Sequence, residues 1–370
     1  MSSLSEVNKA AATRFIHAFN TNDWNTVREV VHPDFALTHP VPGRVQLGPE
    51  GMIKVWSHFK AALPDSWHPI PIMITDGSYL ANLLPTYGTF NGEPHQGTPP
   101  TGKWLEYGMV NIVQIKDGKL AEAWFGMDPV AEAQQMGAAP TPPPRKLSEF
   151  EQANIELFQK TINTEGLEFD NLTAFSNVVV AARPPQHDKD TNARRIDVYH
   201  AAGGKLEPVY SHEFRTDPPY PGDPAVDTEV SRAVVKRFFE HVLTGHDLEA
   251  LGAITSPHIL IHPTAMPCEV SSYGTKGASE WLGAQWQSFP DLRVTDTIVV
   301  ASGDIVAVHW KATGTSKGGF QMLPPTGNPV EYTGSSMYRV ENGRIAEIWE
   351  TRNTLGIMRQ LNPEMGRGHH

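Results

Sequence analysis

Residues 99–128, "PPTGKWLEYGMVNIVQIKDGKLAEAWFGMD", return at residues 324–353 as "PPTGNPVEYTGSSMYRVENGRIAEIWETRN". Laid together without a gap, at an offset of 225, ten of the thirty residues are identical. Composition alone does not produce such a match, so the chain carries an internal repeat and its fold has to be read twice. Each copy alternates apolar and polar residues on either side of "KDGK" or "ENGR". That pattern marks two antiparallel strands joined by a tight hairpin, in which Gly118 or Gly343 supplies the positive φ.

Outward from the hairpin, both copies keep one order. Residues 7–20 place Ala11, Phe15, Ala18 and Phe19 at helical spacing, and residues 230–244 do the same with Val234, Val235, Phe238 and Phe239. A short second helix follows ("DWNTVREVV", "DLEALGAI"), then an extended stretch ending in His-Pro ("DFALTHP", "HILIHP"). A third helix starts near Gly48/Gly51 or Gly274/Gly277 and stops at Pro64 or Pro290. Four strands complete the unit. The fold class is α+β: tandem cone-shaped α+β barrels, each with helices packed in a curved, mostly antiparallel sheet around a cavity open at one end.

Two proline-rich joints, residues 140–146 and 217–228, divide the chain into units at 1–139, 147–216 and 229–365, with a tail at 366–370. The middle unit reads as a truncated copy: an opening helix ("FEQANIELFQKTI") and the last two strands around Gly203-Gly204. It is expected to serve as a spacer or packing lobe without a pocket.

The 370 residues have a formal charge of −11 and no basic run, which excludes nucleic acid and anionic membrane surfaces as partners. No stretch approaches the ~20 apolar residues of a membrane span. One cysteine, Cys268, excludes an intrachain disulfide and fits a cytoplasmic location.

Several residues carry candidate chemistry. Asp128 shares strand parity with Trp124, so both are expected on one face. A carboxylate held in an apolar cone has a raised proton affinity and can exchange protons with a carbon acid. Asp128 also precedes Pro129, the signature of a helix cap, and the residues alone leave both readings open. Asn353 occupies the same place in the second copy and cannot accept a proton. Glu350, of opposite parity, is expected to face away from the cone. Asn111 lies at inward parity with Tyr107 and Met109, where it is a candidate to hold an enolate oxygen. His39 and His262 end matched extended stretches at the expected cavity mouth, and His95 lies in a loop. Trp56, Trp124, Tyr107 and Tyr332 are candidate cavity walls, against the alternative of core packing. His258 and His262 lack an acidic third ligand, so no metal site is expected. Glycines punctuate hairpins rather than building a phosphate loop.

The endings "GKLAEAWFGMDPVAEAQQMG" and "GRIAEIWETRNTLGIMRQLN" resemble those of SnoaL-like polyketide cyclases, in the nuclear-transport-factor-2-like superfamily. The stretches "GTFNGEPHQGTPPTGK" and "GTSKGGFQMLPPTGN" resemble the same family, and "IDVYHAAGGKLEPVY" more faintly resembles its aldol-condensing relatives. The resemblance implies an aspartate inside the cone acting as general acid/base in an intramolecular aldol closure of a small polyketide-like or carbonyl substrate. It implies no cofactor, metal or Schiff-base lysine. The matching residue is Asp128, replaced by Asn353 in the second copy and Phe214 in the middle. Pairing of such domains through their outer sheet faces implies an internal pseudo-dimer, with further homo-oligomerisation left open. Two other functions compete: hydrolysis or hydration of an epoxide or lactone, for which no aspartate–arginine–aspartate set assembles, and non-catalytic binding or assembly.

Overall fold

The first helix, α1 (Leu4–Thr21), begins where Ser3 and Glu6 satisfy each other's backbone amides in a capping box. It buries the stripe Ala11, Ala12, Phe15 and Phe19. Asp23 caps α2 (Trp24–Val30). The computed structural model describes residues 3–39, 43–140, 145–163, 171–183, 194–214, 218–262, 266 and 270–363. After α2 come β1 (Val31–His39), β2 (Gly43–Gln46), α3 (Gly48–Ala62), β3 (Ile72–Asp76), β4 (Tyr79–Thr89), β5 (Trp104–Lys116), β6 (Lys119–Gly126) and α4 (Pro129–Met136). The sheet order is β2-β1-β6-β5-β4-β3, with β1 and β6 parallel and the other pairs antiparallel.

The middle unit is α5 (Glu149–Asn163) followed by an antiparallel meander of β7 (Asn171–Phe175), β8 (Val178–Arg183), β9 (Arg194–Ala202) and β10 (Lys205–Phe214). It therefore has four strands, not the two read from its glycine turn. One sheet face holds Ala174, Val179 and Ala181 against Ile155 and Phe158 of α5. The other face offers Val178, Val180, Ile196 and Val198 to the outer units.

The second full copy repeats the first. Helix α6 (Thr228–Arg237) runs into a π-helical turn at Phe238–Leu243, then come α7 (Leu248–Ile254), β11 (Thr255–His262), β12 (Ser272–Tyr273), α8 (Gly274–Ser288), β13 (Arg293–Ser302), β14 (Ile305–Thr315), β15 (Pro329–Glu341), β16 (Arg344–Arg352) and α9 (Thr354–Leu361). Its sheet order is β12-β11-β16-β15-β14-β13. Both six-stranded sheets end in two separate edge strands, so each is an open, curved sheet wrapped around its helices, the α+β cone that the sequence predicts.

Each outer sheet is buried on both faces. In the first, Leu84, Tyr107, Met109, Val113 and Ala123 face the helices, while Ala81, Leu83, Val110, Ile112 and Trp124 face the other way. That outward face packs on Ala307, Met337 and Trp349 of the second sheet and on the middle sheet, forming one apolar cluster shared by three sheets. The lobes approach so closely that a Cβ on Gly126 would lie 2.4 Å from the Cβ of Ser335. Arg232 of α6 pairs with Asp76 of β3 at 2.7 Å across the same junction.

The second proline-rich joint is tied down rather than loose. Tyr220 donates its amide to the Pro71 carbonyl and accepts from the Met73 amide, and its hydroxyl donates to Asp304 at 3.0 Å. Residues 141–144 of the first joint, and Cys268, lie outside the described residues.

Candidate active site

Inside the first cone is a cavity of about 150 Å³. Phe19 of α1, Trp56 and Phe59 of α3, Leu84 of β4, Met109 of β5 and Phe125 of β6 supply apolar walls. Trp56 packs on Phe15 and Phe19 with ring centroids 4.6 and 3.9 Å away. The polar groups reaching this space are His68, Thr86, Tyr107 and Glu132, with His95 and Gln96 at the rim.

Glu132 projects from the first turn of α4 and is 4% exposed. Its Oε1 accepts a 2.8 Å hydrogen bond from the Tyr107 hydroxyl. Burial lifts its proton affinity to about 7, an effect the Tyr107 bond partly offsets. The same burial and the neighbouring carboxyl hold the Tyr107 phenol proton far more tightly than usual, so Tyr107 remains the donor. Burial, with the Lys60 ammonium adding to it, drops His68 to about 3, which leaves its imidazole neutral. His95 is lowered by burial and by His58, and its ring meets Phe59 edge-on at 5.9 Å. A neutral imidazole, a carboxyl poised near neutrality and a phenol donor thus share one apolar chamber.

Asp128 is not in that lining. It caps α4, with Oδ1 accepting from the amides of Val130 and Ala131 at 3.0 and 3.4 Å. Its Oδ2 accepts 2.7 Å from the hydroxyl of Thr354, the first residue of α9 in the other lobe. Burial raises its proton affinity, opposed by the Thr354 hydroxyl, the α4 amides and Arg352. The strand parity that Asp128 shares with Trp124 is the outer one. Trp124 lies in the cluster between the sheets, 6.3 Å from Tyr79, and not in the cone.

The second cone is filled where the first is hollow. Trp310 stands where β4 of the first copy has Leu84, and Gly334 stands in place of Met109. A Cβ on Gly334 would come 2.2 Å from the Trp310 ring, so only glycine admits that indole, which donates Nε1–H to Ser336 at 2.8 Å. Ile357 replaces Glu132 and is fully buried. Tyr332, the partner of Tyr107, packs edge-on to Trp310 at 5.9 Å within this core. Asn353 caps α9, accepting from the Gly356 amide at 2.8 Å. Glu350 does not face away: it pairs with Arg352 and lies opposite Ser336 on the helix side of the sheet. A hollow of about 150 Å³ lies at this lobe's rim, where Glu350, Arg352 and Trp281 meet Asp128.

The other expected residues scatter. Asn111 faces inward but donates to Asn82 at 3.2 Å, in a separate hollow of about 20 Å³ behind Leu84 and Phe125. His39 and His262 are not equivalent, because Thr38 pairs with Trp124 whereas His262 pairs with Trp349. The two His-Pro motifs are therefore offset by one residue relative to the strand partner. His262 stacks on Trp349 at 5.0 Å, and His258 Nδ1 bonds the Tyr273 hydroxyl at 2.6 Å instead of sharing a ligand with it. The side chains of His39 and Phe214 lie outside the described residues. The structure thus brings Trp56, Tyr107 and His95 together around the cavity. It adds Glu132 and His68, which the sequence reading missed. Glu132 had a signal: the two copies differ there by an acid against an isoleucine at a helix position otherwise suited to the core.

Among the described residues, no helix is long and apolar enough to cross a membrane. A family model for SnoaL-like polyketide cyclase matches the chain twice, at residues 9–136 and 233–361. Solved structures are similar to one copy at a time. A candidate SnoaL-like polyketide cyclase from Jannaschia sp. CCS1 is 20% identical, over 36% of this chain and 92% of its own, with a TM-score of 0.34. A SnoaL-like polyketide cyclase from Agrobacterium tumefaciens is 22% identical, over 36% and 98%, with a TM-score of 0.31. IdmH from Streptomyces antibioticus, a candidate polyketide cyclase, is 29% identical, over 35% and 97%, with a TM-score of 0.32. No curated protein matches the chain.

Proposed function

We propose a function from one premise: this chain belongs to the SnoaL-like polyketide cyclase family, and carries two copies of its domain in tandem. The first cone is the working site, a proton-transfer centre for a carbonyl compound, and its acid/base is Glu132 rather than Asp128. The observation that supports this most is a carboxyl on the wall of an apolar cavity, with burial holding its proton affinity at about 7. A group so placed takes and returns a proton near neutral pH without strong bias either way.

In an aldol closure the Glu132 carboxylate removes a proton from the carbon next to a carbonyl, and the C–H electron pair becomes an enolate. That carbon attacks a second carbonyl carbon of the same molecule. The new C–C bond displaces a π pair onto oxygen, which recovers the proton from Glu132. Tyr107 keeps one carboxyl oxygen occupied and leaves the other for substrate. The aromatic walls fold a flexible chain toward its reactive shape, an entropic contribution. Asp128 belongs to the joint between lobes, and the filled second cone acts as a fixed partner for the first.

The test uses 2-tetralone, whose α-protons exchange slowly enough to follow by NMR in D₂O. The native chain accelerates exchange. Glu132→Gln reduces that acceleration by about 10²-fold or more, the usual worth of a positioned acid/base, while Asp128→Asn retains it. Equal loss in Asp128→Asn, or none in Glu132→Gln, overturns the assignment.

A further inference from the structure

His68 enters the cone from the segment between α3 and β3, and Asn20 of α1 holds it in three ways. The Asn20 amide nitrogen donates to the His68 carbonyl at 3.0 Å, and its oxygen accepts from the His68 amide at 3.0 Å. The same oxygen lies 3.3 Å from the imidazole Nδ1. Because the two backbone bonds fix which end of the Asn20 side chain is oxygen, Nδ1 must be the ring nitrogen that carries hydrogen. Nε2 is then an acceptor. Among the described residues it has no hydrogen-bond partner, and His68 lines the cavity. Phe19 and Phe59 hold the ring's orientation at 4.7 and 5.8 Å.

The second lobe separates the structural part of this arrangement from the rest. There Thr244 clamps the backbone of Val294 in the same way, its hydroxyl accepting from the Val294 amide at 3.1 Å and donating to the Val294 carbonyl at 3.0 Å. The clamp therefore needs only a hydroxyl. The amide that reaches past the backbone to a ring, and the ring itself, occur in the copy whose cone is open.

We propose that His68, fixed by Asn20 in the Nδ1–H form, presents Nε2 to the cone as a permanent acceptor and selects substrates that place a hydroxyl there. An acceptor with no donor alternative favours a hydroxyl over the same group capped by a methyl, which leaves the nitrogen unpaired in an apolar chamber. The charged and titratable groups around it are Lys60 of α3, His95 of the rim loop, Tyr107 of β5 and Glu132 of α4. Lys60 donates to the Ser66 carbonyl at 2.8 Å, close enough to oppose a second positive charge on the ring. This selection rests on the first cone being the working site, but its test does not depend on turnover.

Two measurements on the full chain decide it. In ¹⁵N-histidine-labelled protein, with His68→Phe giving the assignment, Nδ1 is expected to be the protonated nitrogen, with Nε2 bare from pH 8 to pH 5. An Nε2–H form, or a ring that titrates in the ordinary histidine range, overturns the proposal. In binding, 6-hydroxy-2-tetralone is expected to be preferred over 6-methoxy-2-tetralone by about tenfold, the worth of one buried hydrogen bond. Asn20→Thr, which restores the second lobe's clamp and frees the ring, is expected to erase that preference. A preference that persists in Asn20→Thr and His68→Phe, or is missing in the native chain, contradicts the proposal. Exchange of unsubstituted 2-tetralone reports separately on Glu132. If that fails while the tautomer and preference hold, the catalytic assignment falls and the selection stands.

Discussion

At the scale of single residues, Glu132 ties site chemistry to stability with a definite sign. Its proton affinity in the fold is about 7, against an ordinary glutamate value of 4.5. The fold thus favours the neutral carboxyl, and the stability this confers is complete below about pH 4.5 and lost as pH rises through about 7. The loss amounts to about 3 kcal/mol. Glu132→Gln is expected to unfold at higher denaturant than the native chain at pH 8 and at nearly the same denaturant at pH 4, as urea titrations at the two pH values will show. Asp128 behaves differently. Asp128→Ala removes a helix cap and the acceptor of Thr354, and is expected to cost about 1–2 kcal/mol in the same titrations, whereas Asp128→Asn keeps a competent cap. The helix-cap reading of "MDP" was legible from the residues themselves. Strand parity left the catalytic reading equally open and likeness to a family favoured it, but here the carboxyl facing the cavity stands one helical turn later.

At the scale of elements, the order of helices and strands was legible because hairpin glycines, helix-stopping prolines and matched apolar stripes recur at a nearly constant offset. The face of each strand was not. Leu80 to Gly88 of β4 are all buried, so alternation loses its contrast between core and solvent. Ile345 to Thr351 of β16 are likewise all buried, which is why Glu350 was expected outside, and the apolar cluster on the outer face of β6 holds Trp124 as readily as a cone would. The one-residue slip between β1 and β11 is illegible for a related reason, since the paired His-Pro motifs suggest a register that the strand partners do not keep. The filled second cone gives its own prediction. Trp310→Leu removes the plug and leaves Gly334 bare, so it is expected to cost about 2–4 kcal/mol and to open a hollow. A crystal of that variant under xenon should carry gas beside Gly334, while the native chain carries none there.

At the scale of the whole molecule, the duplication places two sheets and a four-stranded third around one apolar cluster. Association that two separate chains would have to achieve in solution is built into the covalent structure. The close approach at Gly126 makes this joint vulnerable. Gly126→Val forces bulk against Ser335 and is expected to lower stability by about 1–3 kcal/mol, as in overpacked cores. Calorimetry is expected to show one cooperative transition for the native chain and two for the variant, as the lobes lose their mutual support. With the joint intact, divergence between the lobes follows from packing: one keeps a chamber with Glu132 and His68, the other fills it with Trp310 and Ile357.

The proposed chemistry requires a dry, protonatable carboxyl on the wall of the first cone. The most direct measurement is a ¹³C NMR titration of the glutamate side-chain carboxyls, with Glu132→Gln identifying the resonance. A midpoint near 7 is the result expected. A midpoint in the ordinary glutamate range, near 4.5, would mean that water reaches the group freely, and the proton-transfer site would not exist.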